Sequence, residues 1–440
     1  MSELAAAALK SGPTPGPDAG PGPGLAVVET AIRTGMIHLG AGLLEGLLAT
    51  QTGHCGQWIE CGAGHRACFV GYRDKALDTV LGPIRLRRAW YHCIECRRGV
   101  IPRDDQLEVA RMSLSPGLRT MIDTAAAAAP FAKAADLLSE LAGLALDTKR
   151  VERAAEGDGL AAAAAQGDHA RAILTGQITP LPVPYPDGPD GPDKLYLAVD
   201  GTGVPMRSTE TAGRAGKGED GRAGTREVKL AACFTQTKTT SDGHPIRDPD
   251  STSYLATFDG VQAFTDLLDV AARQRGSEHI RQVIVLGDGA RWIWNLANTR
   301  FPAATQIVDL FHAREHLHEL ANLLAFILGD RDAWLAQRLK ELDNGDIEAI
   351  SAAARTYDLS GPKAHELDVA VSYFETNAHR MRYAYYRSLG LFVGSGVVEA
   401  GCKSVIGARL KQSGMHWTVP GATGITTLRC QHASATVSAA

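Results

Sequence analysis

The 440-residue sequence contains no apolar run of the roughly 18 residues that a membrane-spanning helix needs, although 45% of its residues are hydrophobic. Its first residues also lack the charged-then-apolar pattern of a secretory leader, so a cytoplasmic protein is expected. Cysteine is sparse: there are eight, and five of them fall between Cys55 and Cys96. In a long chain of this kind such clustering reads as a local metal site, not a disulfide framework. An excess of positive charge is missing too, since 45 Lys and Arg against 49 Asp and Glu leave a net charge of −4. That argues mildly against a nucleic-acid partner. A local basic surface, which is what phosphate contacts require, can still be hidden in the sum.

Two short stretches repeat one arrangement. In KLYLAVDGTGVP (194–205), Leu195–Val199 is too apolar for a surface strand and reads as a strand buried on both faces. Asp200 stands at its carboxyl end, before a Gly-Thr-Gly that continues a strand poorly. Taken alone, Asp-Gly here would mean only a hairpin turn. But QVIVLGDGA (282–290) does the same, with Asp288 just past the apolar run Val283–Leu286. A third acid, Glu399, lies in SGVVEAGCKSVIGARLK, whose helical period is marked by Val398, Cys402, Ile406 and Arg409. Lys403 follows one turn later on the same face. Two strand-end aspartates and a helical glutamate supply the hard oxygen ligands of a two-metal phosphoryl-transfer site for Mg²⁺ or Mn²⁺.

LYLAVDGTGVPM, REVKLAACFTQT, GDGARWIWNLA, FPAATQIVDLFHAREHL and SGVVEAGCKSVIGARLKQSGMHW, in this order, resemble bacterial insertion-sequence DDE transposases of the ISKra type, relatives of the mutator-like group. The resemblance runs from about Gly40 to about Arg429. It implies an α/β fold: a ribonuclease-H-like mixed sheet with helices on both faces and an inserted all-α subdomain. A zinc-ribbon-like β module and a helix-turn-helix region would precede it. By the resemblance Asp200, Asp288 and Glu399 bind two Mg²⁺ (or Mn²⁺) ions, and Asp309 and His312 match an Asp-x-x-His element between the second and third acids. It also implies DNA as the partner, both element end repeats and target. A homo-oligomer in the active complex, a nucleoid-associated location in a bacterium and no membrane association go with it.

In chain order, residues 1–24 read as a disordered Pro/Gly/Ala tail. Residues 25–110 hold a helix and the zinc-binding module. Within Leu25–Thr50, Val28, Ile32, Met36, Leu39, Leu43 and Leu47 recur at helical spacing and suggest a packing or dimer helix. Cys93 and Cys96 form a Cys-x-x-Cys knuckle. Its partners could be Cys55 with Cys61, Cys61 with Cys68, or Cys61 with His65, and free thiols are the plain alternative; the resemblance favours Cys61 and His65 in a structural zinc site. Arg85, Arg87, Arg88, Arg97 and Arg98 make the same segment locally basic, as a DNA-contacting ribbon would be. Residues 111–176 read as helical. Gly143 ends one helix and Asp147 or Thr148 caps the next, whose Lys149, Arg150 and Arg153 suit a reading helix in a major groove. Residues 177–193 form a linker, and 194–430 the catalytic domain. There the order β, β, β, α, β, α, β is what a ribonuclease-H-like sheet demands, with first and fourth strands adjacent. Arg207–Thr225 should be a flexible hairpin loop, and the long helical stretch at about 315–390 an insertion. Near Glu399, Lys403 could hold a phosphate or pair with Glu399; Arg409 and Lys411 are further DNA-contact candidates; Trp417 could stack on a base or sit in the core. Residues 431–440 read as a tail.

The function expected is a transposase that cleaves DNA at the ends of its element and transfers the freed strand. A catalytically inactive, zinc-stabilised DNA-binding regulator and a structure-specific nuclease on the same fold are the alternatives.

Overall fold

The computed structural model describes residues 24–180, 192–216, 221, 223–394 and 396–434. The tail expected at 1–24 lies outside these except for Gly24. The same holds for 181–191 of the linker, for 217–220 and 222 of the Arg207–Thr225 loop, and for 435–440 of the C-terminal tail. No helix among the described residues is long and apolar enough to cross a membrane. The chain divides into two compact units, with the division between Ala155 and Glu156.

The first unit begins with helix α1 (Leu25–Ala49). Ala41 packs into a core with Leu77, Ile84, Leu86 and Val109, flanked by Leu44 and Leu48. Of the stripe read as a packing or dimer face, Ile32, Met36, Leu39, Leu43 and Leu47 are exposed within this chain. The helix is apolar almost all the way round, so periodicity alone could not tell which face meets the protein. Strands β1 (Trp58–Glu60), β2 (Arg66–Thr79), β3 (Gly82–Cys93) and β4 (Arg98–Val100) form an antiparallel meander in chain order. Helices α2 (Pro102–Gln106), α3 (Pro116–Ala128), α4 (Phe131–Ala142) and α5 (Thr148–Leu174) follow. Ser115 caps α3 ahead of Pro116, and Gly143 closes α4 in the left-handed conformation. The unit boundary falls inside α5.

The second unit is a mixed α/β structure built on five strands: β5 (Lys194–Pro205), β6 (Thr225–Gln236), β9 (Ser253–Thr257), β10 (Gln282–Gly287) and β11 (Thr305–Val308). A two-residue ladder, β7 (Lys238–Thr239) with β8 (Pro245–Ile246), lies between β6 and β9 in sequence. The sheet order is β11-β10-β5-β6-β9. β10 is parallel to both β5 and β11, whereas β5–β6 and β6–β9 are antiparallel. Helix α6 (Val261–Gln274) leads into β10 and α7 (Arg291–Arg300) joins β10 to β11. Contrary to the sequence expectation, β5 does not stop at Asp200. It continues through Gly201-Thr202-Gly203 because β6 pairs with it as far as Pro205. These glycines fit where neighbours crowd in: a Cβ at Gly201 would lie 2.5 Å from the Glu227 carboxylate.

After β11 the chain is helical: α8 (Leu310–Leu324), α9 (Arg331–Asn344), α10 (Ile347–Arg355), α11 (Pro362–Asn377) and α12 (Tyr383–Ser388). Leu317, Leu320 and Leu324 of the expected seam are fully buried, but Ile327 is exposed. The chain then returns through α13 (Gly396–Gly401), a π-helical turn (Cys402–Gly407), α14 (Ala408–Leu410) and α15 (Val419–Ala433). Helices α5 and α15 cross glycine on glycine, since a Cβ at Gly159 would lie 2.1 Å from the Gly424 carbonyl oxygen.

Candidate functional site

Strand register decides which acids can meet. Ala198 on β5 stands beside Leu286 on β10, and Gly287 on β10 beside Val308 on β11. Stepping on from those pairs, Asp200, Asp288 and Asp309 fall at equivalent positions on three neighbouring parallel strands, roughly 4.8 Å apart from strand to strand. Asp288 follows the last residue of β10, in a turn whose next residue, Gly289, has φ +102°. Its Oδ1 accepts from the Ala290 amide at 2.8 Å. Asp309 is fully buried and caps α8, accepting from the His312 amide at 2.8 Å. Burial raises the Asp200 carboxyl above the usual range, opposed by hydrogen bonds from the Cys402 thiol and the Gly201 amide.

His312 is the electrostatic hub of this row. Its Nδ1 lies 3.2 Å from Asp309 Oδ1. That hydrogen bond, with the charges of Asp309, Asp200 and Asp288, lifts the imidazole to about 9 against the cost of burial. Asp309, His312 and Glu399 offer ligand atoms that all lie within 4.8 Å of one another. Glu399 reaches them from α13. Asp200 and Asp288 stand beside this group, close enough to act on His312.

Around the acids, the expected helpers fare differently. Lys403 is strongly exposed and lies 3.7 Å from Glu399, an i, i+4 ion pair of small energetic weight. Lys411 donates to the Thr202 hydroxyl on β5, beyond Asp200. Arg409 is fully buried, against the expectation of a DNA contact. It lies 5.2 Å from the Trp417 ring centre and donates to the Met415 sulfur, and burial pushes it down to about 10. Trp417 is core, its indole N–H donating to the Leu410 carbonyl. Cys402, read in sequence only as a marker of helical period, donates its thiol to Asp200. The π-helical turn that begins there breaks the simple 3.6-residue phase, which periodicity could not show.

A second cluster lies in the first unit. Cys61, His65, Cys93 and Cys96 bring one ligand atom each within 4.8 Å of all the others. Cys61 follows β1, Cys93 ends β3, and Cys96 sits in the turn before β4. Glycines with positive φ at 62 and 64 fold the first knuckle, closed by a Cys61 N–H to His65 carbonyl hydrogen bond of 2.9 Å. Cys61 and Cys96 sulfurs are 3.6 Å apart, and His65 Nδ1 is 3.1 Å from Cys96. A tetrahedral ion with metal–sulfur bonds of about 2.3 Å spaces sulfurs by about 3.8 Å. Hydrogen bonding to the Ala63 backbone, the largest influence, draws the Cys61 thiol down to about 7, while the adjacent Cys61 pushes Cys96 up to about 11. Three sulfurs and an imidazole could thus hold zinc. Cys55 and Cys68, the other candidates, are exposed and stand outside the cluster.

Of the basic ribbon, Arg85, Arg87, Arg97 and Arg98 are exposed. Arg88 is not: it is buried and bonded at 2.6 Å to Asp104, so it belongs to the core of the module and not to a DNA surface. Two exposed aromatics that the sequence reading passed over, Trp58 and Tyr72, carry the guanidinium groups of Arg66 and Arg87. In the helix-turn-helix candidate α4–α5, Lys149 pairs with Glu152 and Arg153 bonds to the Lys149 carbonyl. Arg150 is tied to Asp78 and Ser113 and is thereby turned toward its own unit.

No protein-family model matches the chain, and no curated protein does. Among solved structures, the chain is similar to the Drosophila P element transposase strand transfer complex, at 12% identity over 76% of this chain and 96% of that one, with a TM-score of 0.34.

Proposed function

We propose that this chain is a DDE transposase with a ribonuclease-H-like catalytic core, cutting DNA at the ends of its element and joining the freed strand to target DNA. The observation that carries the reading is the row Asp200, Asp288 and Asp309 at one level of three parallel strands, with His312 and Glu399 drawn against it. The sheet order supports it, because three antiparallel strands followed by two parallel ones, the fourth beside the first, is the ribonuclease-H arrangement.

The donors are carboxylate oxygens, a hard set that suits Mg²⁺ or Mn²⁺. Asp200, Asp288 and Glu399 would hold the ions, which when bound stabilise the attacking and leaving oxygens of an in-line displacement. The remaining tasks fall to the chain's own groups. Asp309 fixes the start of α8 and orients His312, whose protonated ring can hold a phosphate oxygen. Lys411, next to Thr202, adds a second positive charge on the path a strand would follow. In the first unit, Cys61, His65, Cys93 and Cys96 would bind a structural zinc ion, and the exposed arginines around them would grip the DNA backbone.

Asp200→Asn tests the reading. In an end-DNA assay with Mg²⁺ the variant should lose cleavage and strand transfer by at least about a thousandfold, as removal of a principal catalytic group does, while end-DNA binding persists. Cleavage at the wild-type rate would remove Asp200 from the site. Wild-type cutting of branched DNA regardless of end sequence would favour the structure-specific nuclease.

A further inference from the structure

Tyr373 belongs to α11, in the helical stretch between β11 and α13, yet its hydroxyl donates to the main-chain carbonyl of Asp288 at 3.0 Å. Its ring covers the next residue, since a Cβ at Gly289 would fall 2.6 Å from the tyrosine Cε2. On its other side the ring lies 3.9 Å from the His316 ring centre, one turn along α8 from His312, and meets Phe374 edge-to-face at 5.3 Å. The side chain is therefore wedged between the turn that presents Asp288 and the helix that Asp309 caps. Gly289 is needed twice over: for its positive φ, and for the room the ring occupies.

We propose that Tyr373 is a positioning residue for Asp288, through which the inserted helices complete the metal site. A carbonyl held by Tyr373 and a carboxylate held by the Ala290 amide fix both ends of the Asp288 residue. Its side chain then keeps the direction that β10 alone cannot impose on the residue past its end. The inference rests on the reading of Asp288 as a metal ligand, and the test separates the two.

Mn²⁺ binding by the full chain is measured by calorimetry for the wild type, Tyr373→Phe, Tyr373→Leu and Asp288→Asn, with melting curves as a check on folding. Loss of one hydrogen bond in Tyr373→Phe should weaken Mn²⁺ binding about three- to tenfold with the melting temperature unchanged. Tyr373→Leu, which also loses the ring, should weaken it further. Wild-type affinity in Tyr373→Phe, with Asp288→Asn impaired, would overturn the inference and leave the metal site standing. Wild-type affinity in Asp288→Asn would overturn both.

Discussion

At the scale of single residues, His312 shows what proximity does to an ordinary side chain. Its imidazole is raised from 6.5 to about 9, chiefly by the Asp309 hydrogen bond. A group raised on folding contributes stability that is fully present below its unfolded value, near 6.5, and is lost as the pH climbs through about 9. In metal-free protein the His312 ring signals in an NMR titration should therefore move with a midpoint near 9, and Asp309→Asn should bring the midpoint back toward 6.5. A midpoint near 6.5 in the wild type would show that the Asp309 contact does not form in solution. Residue roles were the least legible part of the sequence. Arg88 and Arg409 read as surface cations because nothing local reveals Asp104 opposite one of them, or Trp417 and Met415 around the other. Tyr373 gave no signal either, for its partner is brought to it only by the helices between β11 and α13. By contrast, Cys-x-x-Cys announced itself, since a knuckle is a local object.

At the scale of elements, sequence served better. Unbroken apolar runs ending in Asp marked β5 and β10, and the order of strands and helices could be read from periodicity and punctuation. What failed were ends and phases. β5 outran its Gly-Thr-Gly because a partner strand was there to hold it, and the helix after Glu399 shifted into a π turn. Helix α1 packs through Ala41, Leu44 and Leu48, a different face from the one its hydrophobic spacing marked. The crossing of α5 and α15 offers a test of packing at this scale. Gly159→Ala would drive a methyl group into the Gly424 carbonyl, and overpacking of this kind costs about 1–3 kcal/mol. A urea melt of the variant should show that loss, and an unchanged midpoint would mean that the two helices do not approach so closely in solution.

At the scale of the whole chain, two compact units imply two sources of stability. The first is the smaller and carries the Cys/His cluster beside its own apolar cores; the second has its own sheet and the helices around it. Chelation with phenanthroline should lower or abolish one calorimetric transition and leave the other in place, with about one zinc released per chain. A preparation without zinc that melted like the wild type would refute the metal at Cys61, His65, Cys93 and Cys96. Net charge is a whole-chain average over unlike regions: exposed arginines on the first unit coexist with the acid row of the second.

The shared level of Asp200, Asp288 and Asp309 has a consequence for how such a chain can change over time. The segments that join these strands can lengthen, shorten or acquire whole helices without displacing the carboxylates, since hydrogen-bond pairing within the sheet, and not connection length, keeps them abreast. Deleting a single residue inside Ile284–Gly287 is another matter: it would turn Asp288 to the opposite side of the sheet and break the row at once.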